Sequence, residues 1–248
     1  MVARTPEKRI PQQQHTESRS LAGRFIASVT TIVGLLVVSL FFSLIAEWVG
    51  LAFYWTDQGS RHSAQMLKTE LGYLDQDFRR KVFYDSPANI AQAANQRVYN
   101  TLVVKSRFRQ WRRGWLSPVS ATEPRFRQAL KYTYRKIDDY VMASINIIQV
   151  FATRLVVIAL SFPVYILFGV CALIDGLVQR DLRRYGAGRE HGRVYHIAKQ
   201  YHTPIILMTA FTYLSIPVSI HPNWVFIPAA LLFAMTIYIT ATTYQKFL

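Results

Sequence analysis

Long uncharged apolar runs alternate with charged blocks along this chain. Phe25 to Ala46 is the first run, bracketed by Arg24 and Glu47. Leu155 to Ile174 is the second, bracketed by Arg154 and Asp175. Pro204–Ile220 and Trp224–Thr243 follow. About 20 apolar residues in a helix cross a ~30 Å hydrocarbon core, and a helix satisfies its own backbone groups in lipid. The pattern predicts an all-α polytopic membrane protein with four transmembrane helices, over 25–46, 154–175, 204–220 and 224–243. The third run is short and holds Pro217, and His221-Pro-Asn is a tight connection to the fourth. Trp224 and Tyr244 bracket the fourth run, where interfacial aromatics are expected.

The segment 47–153 is polar and shows no strand alternation and no repeat. It predicts a helical extramembrane unit between the first two spans. Over 62–83, Met66, Leu67, Leu71, Leu74, Phe78 and Val82 recur at helical spacing, with Lys68, Asp75, Arg79 and Arg80 opposite. Asp85-Ser-Pro-Ala reads as a turn and a new helix start. A second helix is expected over 88–112, with Ile90, Ala94, Val98 and Leu102 on one face. A turn follows around Gly114–Pro118. A third helix starts near Glu123-Pro124, with Phe126, Leu130, Tyr134, Ile137 and Val141 in line. No proline or glycine interrupts the chain from there to Pro163. One long helix that becomes the second span is the simplest reading, with a kink at Pro163.

Charge sets the orientation. The tail 1–24 reads as a disordered basic cytoplasmic tail and carries five Lys/Arg; the loop 176–203 carries six. Short basic loops stay cytoplasmic. The first run therefore reads as an uncleaved signal anchor, and both termini are expected in the cytoplasm of a bacterial inner membrane. The segment 48–153 would then face the periplasm. Its sixteen Lys/Arg against eight acids are tolerable, because long loops translocate largely regardless of charge. The net charge of +15 fits topology and attraction to anionic headgroups. Cys171 is the single cysteine, which excludes an intrachain disulfide framework and any multi-cysteine metal site.

The candidate chemistry is thin. Gly186, Gly188 and Gly192 follow an apolar run and lack a Gly-Lys-Ser/Thr, so they read as a turn and not a phosphate loop. His191, His196 and His202 are five and six residues apart and do not stack on one helical face, as a metal site would need. Asp138 and Asp139 diverge by about 100° on a helix and cannot share a proton; pairing with Arg135 or Lys136 is expected instead. No nucleophile elbow or Ser/His/Asp signature is present. The chain is not expected to be an enzyme, and no cofactor or metal is expected. Arg107-Phe-Arg-Gln-Trp-Arg-Arg-Gly-Trp interleaves cations and rings. That pattern suits single-stranded nucleic acid and equally a headgroup surface. Lipid or a protein partner is the favoured reading, because membrane spans flank the segment.

The string Asp175-Gly-Leu-Val-Gln-Arg-Asp-Leu-Arg-Arg-Tyr-Gly-Ala-Gly-Arg-Glu, with Val194-Tyr-His-Ile-Ala-Lys199, resembles the hallmark of the integrating conjugative element membrane protein family. Asp175, Gly176, Arg180, Asp181, Arg183, Arg184, Gly188, Arg189, Glu190, Tyr195 and His196 carry the resemblance. It implies an inner-membrane protein beside a conjugative type IV secretion apparatus, and it supplies no catalytic residue. The expected function is a scaffold or assembly component of that DNA transfer system. Its partners would be membrane lipids and other conjugation or secretion-system membrane proteins. A small transporter or channel subunit, or a membrane-anchored component that contacts DNA, are the alternatives; nucleic acid is not favoured. Arg180, Asp181, Arg183, Arg184, Arg189 and Glu190 would form the docking loop. Arg24 with Asp175, and Glu47 with Arg154, would form charge pairs at the inner and outer ends of the first two spans.

Overall fold

The computed structural model describes residues 21–77, 87–105, 107–116, 124–185 and 192–244. The predicted tail 1–20 and the stretches around 78–86 and 186–191 lie outside the described residues. Among the described residues the protein is all-helical, without strands. The helices are α1 (Leu21–Phe53), α2 (Arg61–Asp77), α3 (Pro87–Tyr99), α4 (Phe108–Leu116), α5 (Arg125–Tyr185), α6 (Gly192–Ser215) and α7 (Pro222–Thr243). A π-helical stretch, Asn100–Lys105, prolongs α3.

Helix α5 is the axis. Its 61 residues, at a rise of ~1.5 Å each, extend about 90 Å. That is three times the ~30 Å of a hydrocarbon core. Pro163 lies inside the helix without ending it. The helix also runs past Asp175, where the sequence placed the start of a loop: residues 176–185 are helical. Gly176 does not break it, because that glycine serves packing. A Cβ there would sit 2.7 Å from the Ala241 Cβ and 3.0 Å from the Tyr238 carbonyl oxygen. Gly169, two turns earlier, faces Ile237 and Phe233 of the same neighbour. Small residues that let helices approach closely are how membrane helices associate.

Among the described residues three helices hold stretches long and apolar enough to cross a membrane: Phe25–Phe53, Ile137–Arg183 and Pro222–Thr243. The chain folds as a membrane protein on that basis. α6 is less apolar, since Lys199, His196 and His202 lie in its first half. The expected span 204–220 is not one helix. α6 ends at Ser215, and Pro217, which has no N–H to continue it, sits in the connection to α7. Even so, α6 lies antiparallel to α7 along its length. Tyr195 meets Tyr244, His202 meets Thr240, and Tyr213 meets Phe226. α7 runs alongside α5 in the same direction, with Tyr165 against Phe226 and Gly176 against Ala241.

The N-terminal half of α5 carries α1, α2, α3 and α4. α1 climbs antiparallel to α5 and meets it where the Trp48 indole donates to Ser144 Oγ. The face α1 turns inward is Ser39, Ser43 and Glu47, one residue per turn and all buried. After a turn through Gly59, whose φ of +53° favours glycine, α2 descends along α5. Ser60 meets Asp139, Ser63 meets Asn146 and Glu70 meets Arg154 in step. α3 returns in the opposite direction. Its buried positions are Ala91 and Asn95, with Val103 beyond them in the π-helical stretch. The expected face of Ile90, Ala94, Val98 and Leu102 is one position off: Ile90 is exposed, and Asn95 donates to Thr153 Oγ1 at 2.8 Å. The expected helix over 88–112 is also two helices, broken at Arg107 with φ 56°. On α5 itself, Phe126, Leu130 and Ile137 point outward, while Lys131 and Asp138 are buried.

Candidate functional site

Two charged places stand out in the fold: one buried at the centre of the bundle and one at the C-terminal end of α5. At the centre, Arg154 is 1% exposed. A guanidinium carries five N–H donors in a fixed fork, and here all three nitrogens are in use. Nε and Nη2 donate to Glu70 Oε1 at 3.1 and 2.7 Å. Nη1 donates to the carbonyls of Tyr213 at 2.9 Å and Ile216 at 2.6 Å, and Nη2 to that of Val218 at 2.8 Å. The Tyr213 hydroxyl donates to Glu70 Oε2 at 3.3 Å, and its ring lies 5.2 Å below the guanidinium.

The local sequence explains this arrangement. Pro217 ends α6 and leaves carbonyls at its C-terminus without backbone donors. A helix C-terminus carries partial negative charge, and Arg154 supplies both the donors and the positive charge. Glu70 sits on the inward face of α2, between Met66 and Leu74, both buried. One side chain of α5 thus ties α2 to the α6–α7 connection. Burial pushes the Glu70 carboxyl up from its ordinary range, while Arg154, and then the hydrogen bonds from Arg154 and Tyr213, pull it back.

The outer pair expected from the sequence is therefore rearranged. Glu47 and Arg154 are both buried and both partnered, though not by each other. Glu47 Oε2 lies 3.3 Å from His62 Nδ1, and the His62 ring stacks on Trp55 with centroids 4.0 Å apart. The reason is axial register. Trp48, next to Glu47, lies level with Tyr140 and Ser144, more than two turns of α5 before Arg154. Of the expected inner pair, Asp175 is exposed, and the Arg24 side chain lies outside the described residues.

The basic and aromatic segment is partly absorbed by internal contacts. Arg112 makes a two-point pair with Asp138, at 2.7 and 2.8 Å; the side chains of Arg135 and Lys136, the expected partners, lie outside the described residues. The bond to Asp138 raises the Arg112 pKa further. Asp139 turns to Ser60, so the two carboxylates diverge as helical spacing requires. Arg109 donates to the Tyr99 hydroxyl at 2.6 Å. Trp111 and Trp115 pack on Tyr134. A cleft of about 430 Å³ remains between these groups and Met142.

At the C-terminal end of α5 the expected docking loop is largely helix among the described residues. Arg180, Asp181 and Arg183 are on the last turns of α5. Arg180 pairs with its neighbour Asp181 at 3.3 Å. Arg183 donates to the Thr242 carbonyl near the C-terminus of α7 and fastens the two helices. The side chain of Arg184, and Arg189 and Glu190 altogether, lie outside the described residues. His196 lies against Tyr195 and His202 bonds Thr240; His191 is outside the described residues. Among the described residues no group of three or more His, Cys, Asp or Glu could hold a metal ion.

Helices of this length and polarity, tied together by buried charge, define a helical membrane protein. A family model described as IncC plasmid conjugative DNA transfer protein DtrJ-like matches residues 54–245, and the chain belongs to that family. The match begins where α1 ends. It agrees with the conjugative resemblance of the 175–199 stretch. No curated protein and no solved structure matches the chain.

Proposed function

We propose that the protein is a non-enzymatic inner-membrane scaffold of a conjugative, type IV secretion-like DNA transfer system, of an integrative element by the resemblance of residues 175–199. Family membership carries this reading. The form of α5 supports it: one unbroken helix links a periplasmic helical unit to a basic cytoplasmic end. The buried Arg154–Glu70 pair holds helices together. In this reading α6 supplies the third of four membrane spans, and its course beside α7 from Tyr195 to Tyr213 supports that. Both termini are then cytoplasmic.

Reporter fusions test the topology. Fusions near residues 15, 190 and 248 should be cytoplasmic, and fusions near 100 and 222 periplasmic. A cytoplasmic signal at residue 100 would sink the model. Equal signals at 190 and 222 would mean that α6 does not cross.

Docking at the inner end is tested by charge reversal away from the α5–α7 joint. Arg180→Glu with Arg184→Glu should lower transfer frequency by tenfold or more at normal membrane level. The tagged wild-type protein should co-purify conjugation membrane proteins, and the variant should lose them. Normal transfer at a normal level removes the docking role of Arg180, Asp181, Arg183, Arg184, Arg189 and Glu190.

A further inference from the structure

The inner ends of α5, α6 and α7 leave an open cleft of about 230 Å³. Leu173, Leu177, Ile237 and Ala241 give it apolar walls, and Tyr195 and Tyr244 stand at its mouth. The two tyrosine rings are 5.8 Å apart. Leu173, Leu177 and Tyr244 are exposed, so the cleft opens outward and not into the bundle. It lies along the last turns of α7, at the end of a stretch apolar enough to cross a membrane. Hydrocarbon is therefore the medium its walls face.

The mouth is cationic. The ammonium of Lys199 lies 5.7 Å over the Tyr195 ring, and Lys199 is exposed. Arg183 reaches Thr242, next to Ala241 of the wall. Among the described residues the nearby acids are accounted for. Asp181 is paired with Arg180. Asp175 is two residues from both Leu173 and Leu177, which puts it on the other side of α5. α6 and α7 contain no acidic residue. Basic pockets between membrane helices at the cytoplasmic side are suited to anionic headgroups.

We propose that this cleft holds one anionic phospholipid of the inner leaflet. An acyl chain lies along Leu173, Leu177 and Ile237. The phosphate meets Lys199 and Arg183, and the tyrosine hydroxyls are placed to donate to it. Aromatic side chains at a membrane interface keep an apolar body in lipid and a polar tip in water, which suits Tyr195 and Tyr244. A neighbouring membrane helix would need acidic groups to match this mouth, and it is one outcome of the test. The inference rests on the membrane reading and is independent of the role in transfer.

The experiment uses the full chain purified in detergent and native mass spectrometry. Phosphatidylglycerol and phosphatidylcholine with identical acyl chains compete for the protein. Retention of one phosphatidylglycerol with roughly thirtyfold preference is expected, from two cations at about 1 kcal/mol each. Lys199→Gln should cut the preference to about fivefold, because one cation is lost. Leu177→Trp, which fills the cleft from an exposed position, should abolish retention of either lipid. Melting temperature checks that both variants are folded, and Lys199→Gln stands if the tryptophan variant fails to fold. Equal retention of the two lipids overturns the proposal, as does a preference that Lys199→Gln leaves undiminished. Full competition by glycerol phosphate would reduce the site to a small-anion site and overturn the acyl-chain assignment. Displacement of the lipid by a second copy of the chain would assign the cleft to a helix. None of these results depends on transfer assays, so failure here is separate from failure of the scaffold reading.

Discussion

Replacing Arg154 with alanine should remove most of the folded protein from the membrane. The substitution leaves the Glu70 carboxylate buried without its counter-charge. It also leaves the carbonyls of Tyr213, Ile216 and Val218 without their donor. Breaking one side of a buried ion pair costs about 3–5 kcal/mol. Total stability of an ordinary domain is roughly 5–15 kcal/mol, so the loss is a large part of what there is. Arg154→Lys should be intermediate, because an ammonium keeps the charge and loses the planar fork that reaches Glu70 and three carbonyls together. Tyr213→Phe removes one bond of 3.3 Å and should cost within about 1 kcal/mol. The comparison with Glu70→Leu separates the pair from the cap. If Arg154 served Glu70 alone, the double variant Arg154→Met with Glu70→Leu would recover most of the stability. Because Arg154 also caps α6, the double variant should recover only part. Size-exclusion profiles and melting temperatures in detergent measure each step. An Arg154→Ala protein that melts with the wild type would show that the clasp is dispensable.

The same residue shows what could be read from the sequence. The end of an uncharged run marked Arg154 as a charge at a helix boundary. Its partner was hidden, since Glu70 lies 84 residues away on a helix whose period of apolar positions surrounds it. The signal was an acid in line with Met66 and Leu74, inside an otherwise apolar stripe. The length of α5 was largely legible, because nothing interrupts helix formation from Pro124 to Pro163. Its far end was not. A glycine after an aspartate reads as a turn, and only the approach of α7 reveals that Gly176 is there for contact. The outward Phe126, Leu130 and Ile137 illustrate the converse. Their periodicity is helical, as the fold bears out, but period alone does not say which side of a helix is covered. The divergence of Asp138 and Asp139 followed from helical geometry alone, whereas the pairing of Asp138 with Arg112 depended on α4 folding back onto α5.

Three glycine-to-alanine substitutions should rank in the order of what each new methyl would meet. At Gly176 the Cβ would lie 2.7 Å from the Ala241 Cβ and 3.0 Å from the Tyr238 carbonyl oxygen. One of these atoms is backbone and the other is the first atom of a side chain, so neither can turn aside. α5 and α7 must separate. Overpacking of this kind costs about 1–3 kcal/mol, and Gly176→Leu should cost more. At Gly169 the methyl would meet Ile237 Cδ1 at 3.2 Å and Phe233 Cε1 at 3.3 Å. Those are far ends of side chains and can shift by a few tenths of an ångström, so the loss should be smaller. At Gly34 nothing lies within 4 Å, and alanine should be neutral or stabilising, since glycine in a helix interior costs roughly 0.5–1 kcal/mol relative to alanine. Ala241→Gly added to Gly176→Ala removes the methyl–methyl clash and leaves the contact with the Tyr238 carbonyl. It should restore part of the melting temperature, not all. The joint also carries Arg183, whose reach to Thr242 depends on the same spacing. Transfer frequency should therefore fall with Gly176→Ala and stay near wild type with Gly34→Ala. Gly176→Ala and Gly34→Ala proteins with the same melting temperature and transfer frequency would mean that α5 and α7 do not pack this closely in the membrane.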